Sequence, residues 1–248
     1  MKRMNLIWAM LALFSALSFG QKKYEMVIEK TDGTESVFST EDVVRSYFRE
    51  KNQNHGYTSC PDSNHPHMID LGLPSGTKWA CCNVGATKPE QYGGYYSWGE
   101  VSEKSYYDWS TYSHFDGKFS TCHNLGSDIA GTQYDVAHVQ WGGSWMMPSF
   151  DQIKELLDHC SSEWTTENGV YGRRFTGSNG GSIFLPAAGC RWFGDLIDAG
   201  EIGDYWSSTQ RPDDSDGAFY LYFYSGYACW YNDSRRHFGQ SVRPVVRN

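Results

Sequence analysis

Residues 203–248 read GDYWSSTQRPDDSDGAFYLYFYSGYACWYNDSRRHFGQSVRPVVRN. Two runs, 218–224 and 227–231, flank Ser225-Gly226 and predict a β-hairpin. Side chains alternate between the faces of a strand. Phe219, Leu221 and Phe223 should therefore enter the core, with Tyr220, Tyr222 and Tyr224 on the opposite face. Tyr and Trp recur here beside Asn, Asp, Ser and Arg. Rigid amphipathic rings among short, adaptable polar groups are the composition of a binding surface. A sheet core would also take such rings, but 10 Trp, 17 Tyr and 13 Phe exceed what one small core buries. No catalytic constellation stands out.

Upstream, residues 169–176, 182–189 and 204–209 read as strands, and 241–246 closes the sheet. The strongest helix signal precedes them. Ser149 is an N-cap with Gln152 at the capping-box position, and Ile153, Leu156, Leu157 and Cys160 fall at i, i+3, i+4 and i+7. A shorter helical turn over 135–140 is stopped by Gly142-Gly143. Residues 101–131 are aromatic, polar and turn-rich, as in a long ordered loop. Residues 70–80 pass from a short apolar run through a Pro/Gly turn into a strand. Strands with few helices suit a loop-rich β or α+β domain over residues 68–248, and α+β is the class expected here.

At the N-terminus, Lys2 and Arg3 precede an apolar run from Leu6 to Leu17, and Ser18-Phe19-Gly20 follows before Gln21. This pattern predicts a cleaved secretory signal over residues 1–20. The apolar run falls short of the ~20 residues a bilayer span needs, and no later run is long enough to cross as a helix. Export places the protein in the periplasm, at the cell surface or outside the cell. Residues 24–28 and 35–38 read as strands about an Asp32-Gly33 turn. Ser39 with Asp42 caps a short helix carrying Val43, Val44, Tyr47 and Phe48. That module spans residues 21–50, and a polar linker broken by Gly56, Pro61 and Pro66 covers 51–67. His65 and His67 in the linker have no carboxylate partner placed by sequence and read as solvated.

The formal charge is −8, and removal of Lys2 and Arg3 with the signal makes the chain more acidic still. With no basic stripe, nucleic acid is a poor partner. The seven Cys are odd in number and irregularly spaced, and no CxxC is present. They fit mostly buried thiols with one or two bridges better than a full disulfide framework.

Six motifs occur in order: DLGLPSGTKWA (70–80), YSWGE (96–100), WGGSWMMPS (141–149), FLPAAGCR (184–191), GDYWSST (203–209) and GQSVRPV (239–245). Together they resemble the Fibrobacter succinogenes major paralogous domain, a family common in exported proteins of Bacteroidetes. That family is similar to the C-type lectin-like fold of formylglycine-generating enzymes and of the variable proteins of diversity-generating retroelements. The resemblance implies two helices on a twisted antiparallel sheet, long ordered loops and a variable surface near the C-terminus. On this sequence the surface is Tyr220, Tyr222, Tyr224, Tyr227, Cys229, Trp230, Tyr231, Asn232, Asp233 and Arg235. Arg243 is implied to hold loops rather than ligand. The hairpin after Gln21 is similar to the short segment found ahead of such domains.

The expected function is an exported, non-catalytic module that binds a glycan or protein ligand on a cell surface. Rings stack on sugar faces or fill pockets, while Asn and Asp orient hydroxyls. The alternative is a structural or adhesive component of the cell envelope, docking through the edge strands of the N-terminal hairpin. Calcium would need six to eight converging oxygens. Trp230-Tyr231-Asn232-Asp233 is close to the Trp-Asn-Asp element of calcium lectins, yet a Tyr is inserted and no Glu-Pro-Asn or Gln-Pro-Asp triplet accompanies it. No cofactor or metal ligand is expected. A catalyst like the formylglycine-generating enzymes needs a reactive cysteine pair, which Cys190 and Cys229 do not match. No Gly-x-Ser-x-Gly, His-Glu-x-x-His or phosphate loop is present, and Asp195, Asp198 and Glu201 read as a solvated loop. A surface diversified by a retroelement would show adenine-rich codons at its Tyr, Asn and Asp positions.

Overall fold

The computed structural model describes residues 25–29, 35–39, 67–118 and 121–247. The chain divides into two compact units, residues 1–53 and 54–248. In the first, β1 (Glu25–Glu29) pairs antiparallel with β2 (Glu35–Ser39), and Glu29 stands opposite Glu35. The expected signal, the helix about Val43 and most of the linker lie outside the described residues.

The second unit carries β3 (Met68–Asp70), β4 (Lys78–Ala80), α1 (Val136–Trp141), β5 (Trp145–Met146) and α2 (Phe150–His159). Then follow β6 (Ser161–Glu167), β7 (Val170–Thr176), β8 (Ser182–Pro186), β9 (Cys190–Trp192) and β10 (Asp195–Ile197). The last four are β11 (Gly203–Gln210), β12 (Gly217–Phe223), β13 (Ala228–Arg235) and β14 (Val245–Val246). This is the expected sheet-rich α+β class. Among the described residues all strand pairs are antiparallel, in sheets ordered β3-β4-β14-β5, β6-β7-β8 and β11-β12-β13, with β9-β10 a separate hairpin. No helix among the described residues is long and apolar enough to cross a membrane.

Capping places both helices. Ser149 Oγ accepts from the Gln152 amide and Gln152 Oε1 accepts from the Ser149 amide, the reciprocal pair that starts α2. Ile153 and Leu156 of α2 are buried in one core cluster with Trp79, Phe175, Leu185, Tyr205, Leu221 and Phe223. Asp135 caps α1 from full burial, accepting from the amides of His138 (3.0 Å), Gly131 (2.8 Å) and Met147 (2.9 Å). Burial pushes its carboxyl up from the ordinary range, and those amide bonds act against the shift.

The tryptophans of the recognised motifs are core residues. Trp98 and Trp206 are fully buried in a second cluster with Trp141 and Trp145. Their indole N–H groups reach the carbonyls of Ser207 (2.9 Å) and Tyr96 (2.8 Å), which removes the penalty of an unpaired buried donor. The β11-β12-β13 sheet lies between the two clusters. Tyr205, Leu221 and Phe223 enter one, while Trp206 and Ala218 enter the other. Leu221 and Phe223 are buried as alternation predicts, and Phe219 on the same face is half-buried.

Arg243 is also fully buried. Its guanidinium donates to Asn83 Oδ1 (2.7 Å) and to the carbonyls of Ala80 (3.1 Å), Cys81 (2.8 Å) and Phe184 (2.9 Å). It thus ties the segment after β4 to β8.

Three features depart from the sequence reading. Residues 161–167 form β6, although SSEWTTE lacks the apolar alternation of a half-buried strand. Asp195 lies in β10, paired with Trp192, where a solvated loop was expected. The strand expected over 241–246 contracts to Val245–Val246, because Gln240 and Ser241 make isolated bridges to Tyr96 and Tyr205. Cys122, Cys160, Cys190 and Cys229 are free thiols, so none of the expected bridges forms among these four.

Candidate functional site

Strand register assembles the tyrosines. Tyr220 stands opposite Tyr231 and Tyr222 opposite Cys229, and residues directly opposite in a sheet share a face. Tyr224 and Tyr227 close the hairpin through the Tyr224 amide and the Tyr227 carbonyl (3.0 Å). Ring centroids are 5.4 Å apart for Tyr222–Tyr231, 6.0 Å for Tyr220–Tyr231 and 4.7 Å for Tyr224–Tyr227. Most of these contacts are tilted or edge-to-face, the favoured geometry for aromatic pairs.

The face runs from core to solvent. Tyr220 packs against the buried Trp206 cluster and donates to Asp233 Oδ1 (3.2 Å). At the outer end Tyr227 and Tyr231 are 41% and 39% exposed, and their hydroxyls are joined at 3.1 Å. Burial, with the Asp233 and Asp204 carboxylates, pushes the Tyr220 phenol up. Burial does the same at Tyr222, and the bonds to Tyr227 and Cys229 do so at Tyr231. The phenols therefore stay neutral and keep their donor hydrogens at neutral pH.

The other expected surface residues fall elsewhere. Trp230 stands opposite Leu221 and so takes the other face, with its ring 4.8 Å from Phe150 and 5.9 Å from Phe219. Adjacent strand residues point to opposite sides, which is why Trp230 and Tyr231 separate. Arg235 is held by Asp216 and lies 3.7 Å from Asp214. Asp233 is exposed beside Tyr220. The side chain of Asn232 lies outside the described residues.

Two features of this region escape the sequence reading. Asp204, opposite Tyr222 on β11, is only 8% exposed, with the Cys190 thiol near its carboxyl. Burial pushes its carboxyl up to about 7; the Cys190 thiol opposes the shift, and Asp198 and Asp233 add to it. The second is a groove of about 500 Å³ that borders the tyrosine face. Trp164 and Tyr171 of the β6-β7 hairpin lie along it, with Glu201 and with Tyr222 and Tyr224. Of its lining, Tyr222, Tyr224 and Ser225 come from the stretch that composition singles out.

Among the described residues no cluster of three or more His, Cys, Asp or Glu is placed to hold a metal ion. Cys190 and Cys229 are free, and burial pushes both thiols up, away from the reactive thiolate. No family model, curated protein or solved structure matches the chain.

Proposed function

We propose that residues 68–248 form a C-type lectin-like domain of the Fibrobacter succinogenes major paralogous type. In this reading it works, after export, as a non-catalytic module that binds a glycan or protein ligand on a cell surface. The fold half of the reading is supported by the ordered motifs and by two short helices among antiparallel sheets. It is also supported by the first and last strands of the unit, β3 and β14, meeting in one sheet. The observation that carries the function is the tyrosine face. Tyr227 and Tyr231 stay open to solvent although Leu221 and Phe223 on the hairpin's other side are buried in a core. Rings spent only on packing would not need to be presented with paired hydroxyls at the surface.

An adhesive role in the cell envelope is the second reading. Its support is the tip of the β9-β10 hairpin, where Trp192 and Phe193 are exposed and Phe193 has φ +51°. A bulky residue in the left-handed region is strained, and such strain clusters at functional positions.

A glycan array and a whole-cell binding screen, each run with calcium and with chelator, test the leading reading. Binding is expected under both conditions, because the proposed contacts are rings and hydroxyls. Binding abolished by chelator would instead require a calcium site, and the absence of binding to either would remove the proposal.

A further inference from the structure

The groove beside the tyrosine face has a chemistry of its own. Pairing of β6 with β7 sets Trp164 opposite Arg173 and Thr166 opposite Tyr171, so Trp164 and Tyr171 are diagonal neighbours on one face. Their rings are nearly parallel, 12° apart, with centroids separated by 6.1 Å. Tyr222 and Tyr224 form the facing wall, with their rings inclined 60° to each other. Gly200, Glu201, Ile202 and Ser225 complete the lining. Arg173 fastens the two walls: Nη1 donates to the Tyr224 carbonyl (2.6 Å) and Nε to Ser162 Oγ (3.0 Å). At about 500 Å³ the space falls within the ~300–1,000 Å³ of small-ligand sites.

The lining limits what can sit there. Among the described residues that form it, none is Lys, Arg or His, and Glu201 supplies the one carboxylate. An anionic ligand would meet the Glu201 carboxylate, while the Arg173 guanidinium lies outside the lining, buried and already bonded to the Tyr224 carbonyl and Ser162 Oγ. A purely apolar ligand would leave the carboxylate and the phenols without partners. A pyranose ring answers both demands, offering a flat C–H face to aromatic rings and hydroxyls to a carboxylate. We propose that this groove is a subsite for one neutral pyranose residue of a glycan chain. Trp164 and Tyr171 form its stacking platform, and Glu201 accepts from the ring hydroxyls. The inference rests on the binding-module reading and narrows its ligand. Tyr222 belongs to both the groove and the tyrosine face, so a chain seated in the groove continues onto that face.

The test titrates the full chain with cellohexaose, xylohexaose, mannohexaose and maltohexaose, following tryptophan emission and the heat of binding. At least one is expected to bind. Trp164→Ala and Tyr171→Ala should each weaken it by about tenfold, with Tyr171→Phe close to wild type and Glu201→Gln intermediate. Tyr171 is 53% exposed, so its variants carry the test should Trp164→Ala fail to fold. Binding of none of the four overturns the subsite. So does binding that survives Trp164→Ala and Tyr171→Ala but is lost on Tyr231→Ala, an outcome that leaves the tyrosine-face reading standing. Whole-cell binding dependent on Tyr231, with no oligosaccharide bound, also overturns the glycan subsite alone. No binding to cells or to oligosaccharides removes both.

Discussion

Arg243→Ala is expected to destabilise the domain by about 3–5 kcal/mol, a large share of the ~5–15 kcal/mol that holds an ordinary domain folded. The loss has three sources. Asn83 Oδ1 and the carbonyls of Ala80, Cys81 and Phe184 lose their donor in a place water does not reach. The guanidinium volume becomes a cavity. The link from the segment after β4 to β8 is cut. Asn83 adds leverage, because its amide also donates to the Tyr92 carbonyl (2.8 Å) and the Tyr205 hydroxyl (3.1 Å), and Tyr205 in turn donates to the Pro186 carbonyl (2.7 Å). Arg243→Lys should recover only part of the stability, since one ammonium cannot span acceptors arranged for a planar fork. Urea denaturation of the three proteins measures this. A lysine variant as stable as wild type would show that the charge, not the fork, matters here.

Asp204→Asn is expected to make the protein more stable at neutral and alkaline pH. The folded carboxyl titrates at about 7, against an ordinary value of 3.8. Below about pH 4 it is protonated in both the folded and the unfolded chain and has no effect. Between about pH 4 and about pH 7 the folded state holds a proton that the unfolded state has released, so stability falls as pH rises through this window. Above the folded value the loss is complete, and a shift of this size corresponds to about 4 kcal/mol. Asparagine carries no such charge. The two proteins should therefore converge near pH 4 and separate by about 2–4 kcal/mol near pH 8, read from urea midpoints. The other shifted acids, among them Asp135, are common to both proteins and cancel in the comparison. Parallel pH profiles would mean that Asp204 is better solvated than its burial indicates.

What could be read from sequence, and what could not, divides along the range of the interactions. The α2 cap was legible because Ser149 and Gln152 satisfy each other within four residues. The core face of β12 was legible because strand alternation is local, and Leu221 and Phe223 obey it. β6 was not legible, since SSEWTTE is an edge strand stabilised through its pairing with β7. The β3-β4-β14-β5 sheet likewise joins segments far apart in the chain. In the site, Tyr220 and Tyr222 could be grouped from period, whereas Tyr231 joined them only through the family resemblance, which grouped it with Trp230. Asp204 could not, because a carboxylate between glycine and tyrosine carries no mark of burial; only its place opposite Tyr222 reveals it. Trp164 and Tyr171 were hidden for the same reason: the groove exists only once β7 and the end of β12 are fastened by Arg173.

The central claim is that the outer tyrosines serve binding rather than folding. The most direct test compares wild type with Tyr227→Ala/Tyr231→Ala for binding to the same cells and glycan array, with thermal unfolding measured alongside. The account predicts that binding falls by about tenfold or more, while the unfolding midpoint moves by no more than about 4 °C. A variant that binds as wild type does, or one that loses binding only because it no longer folds, would make these rings packing and contradict the claim.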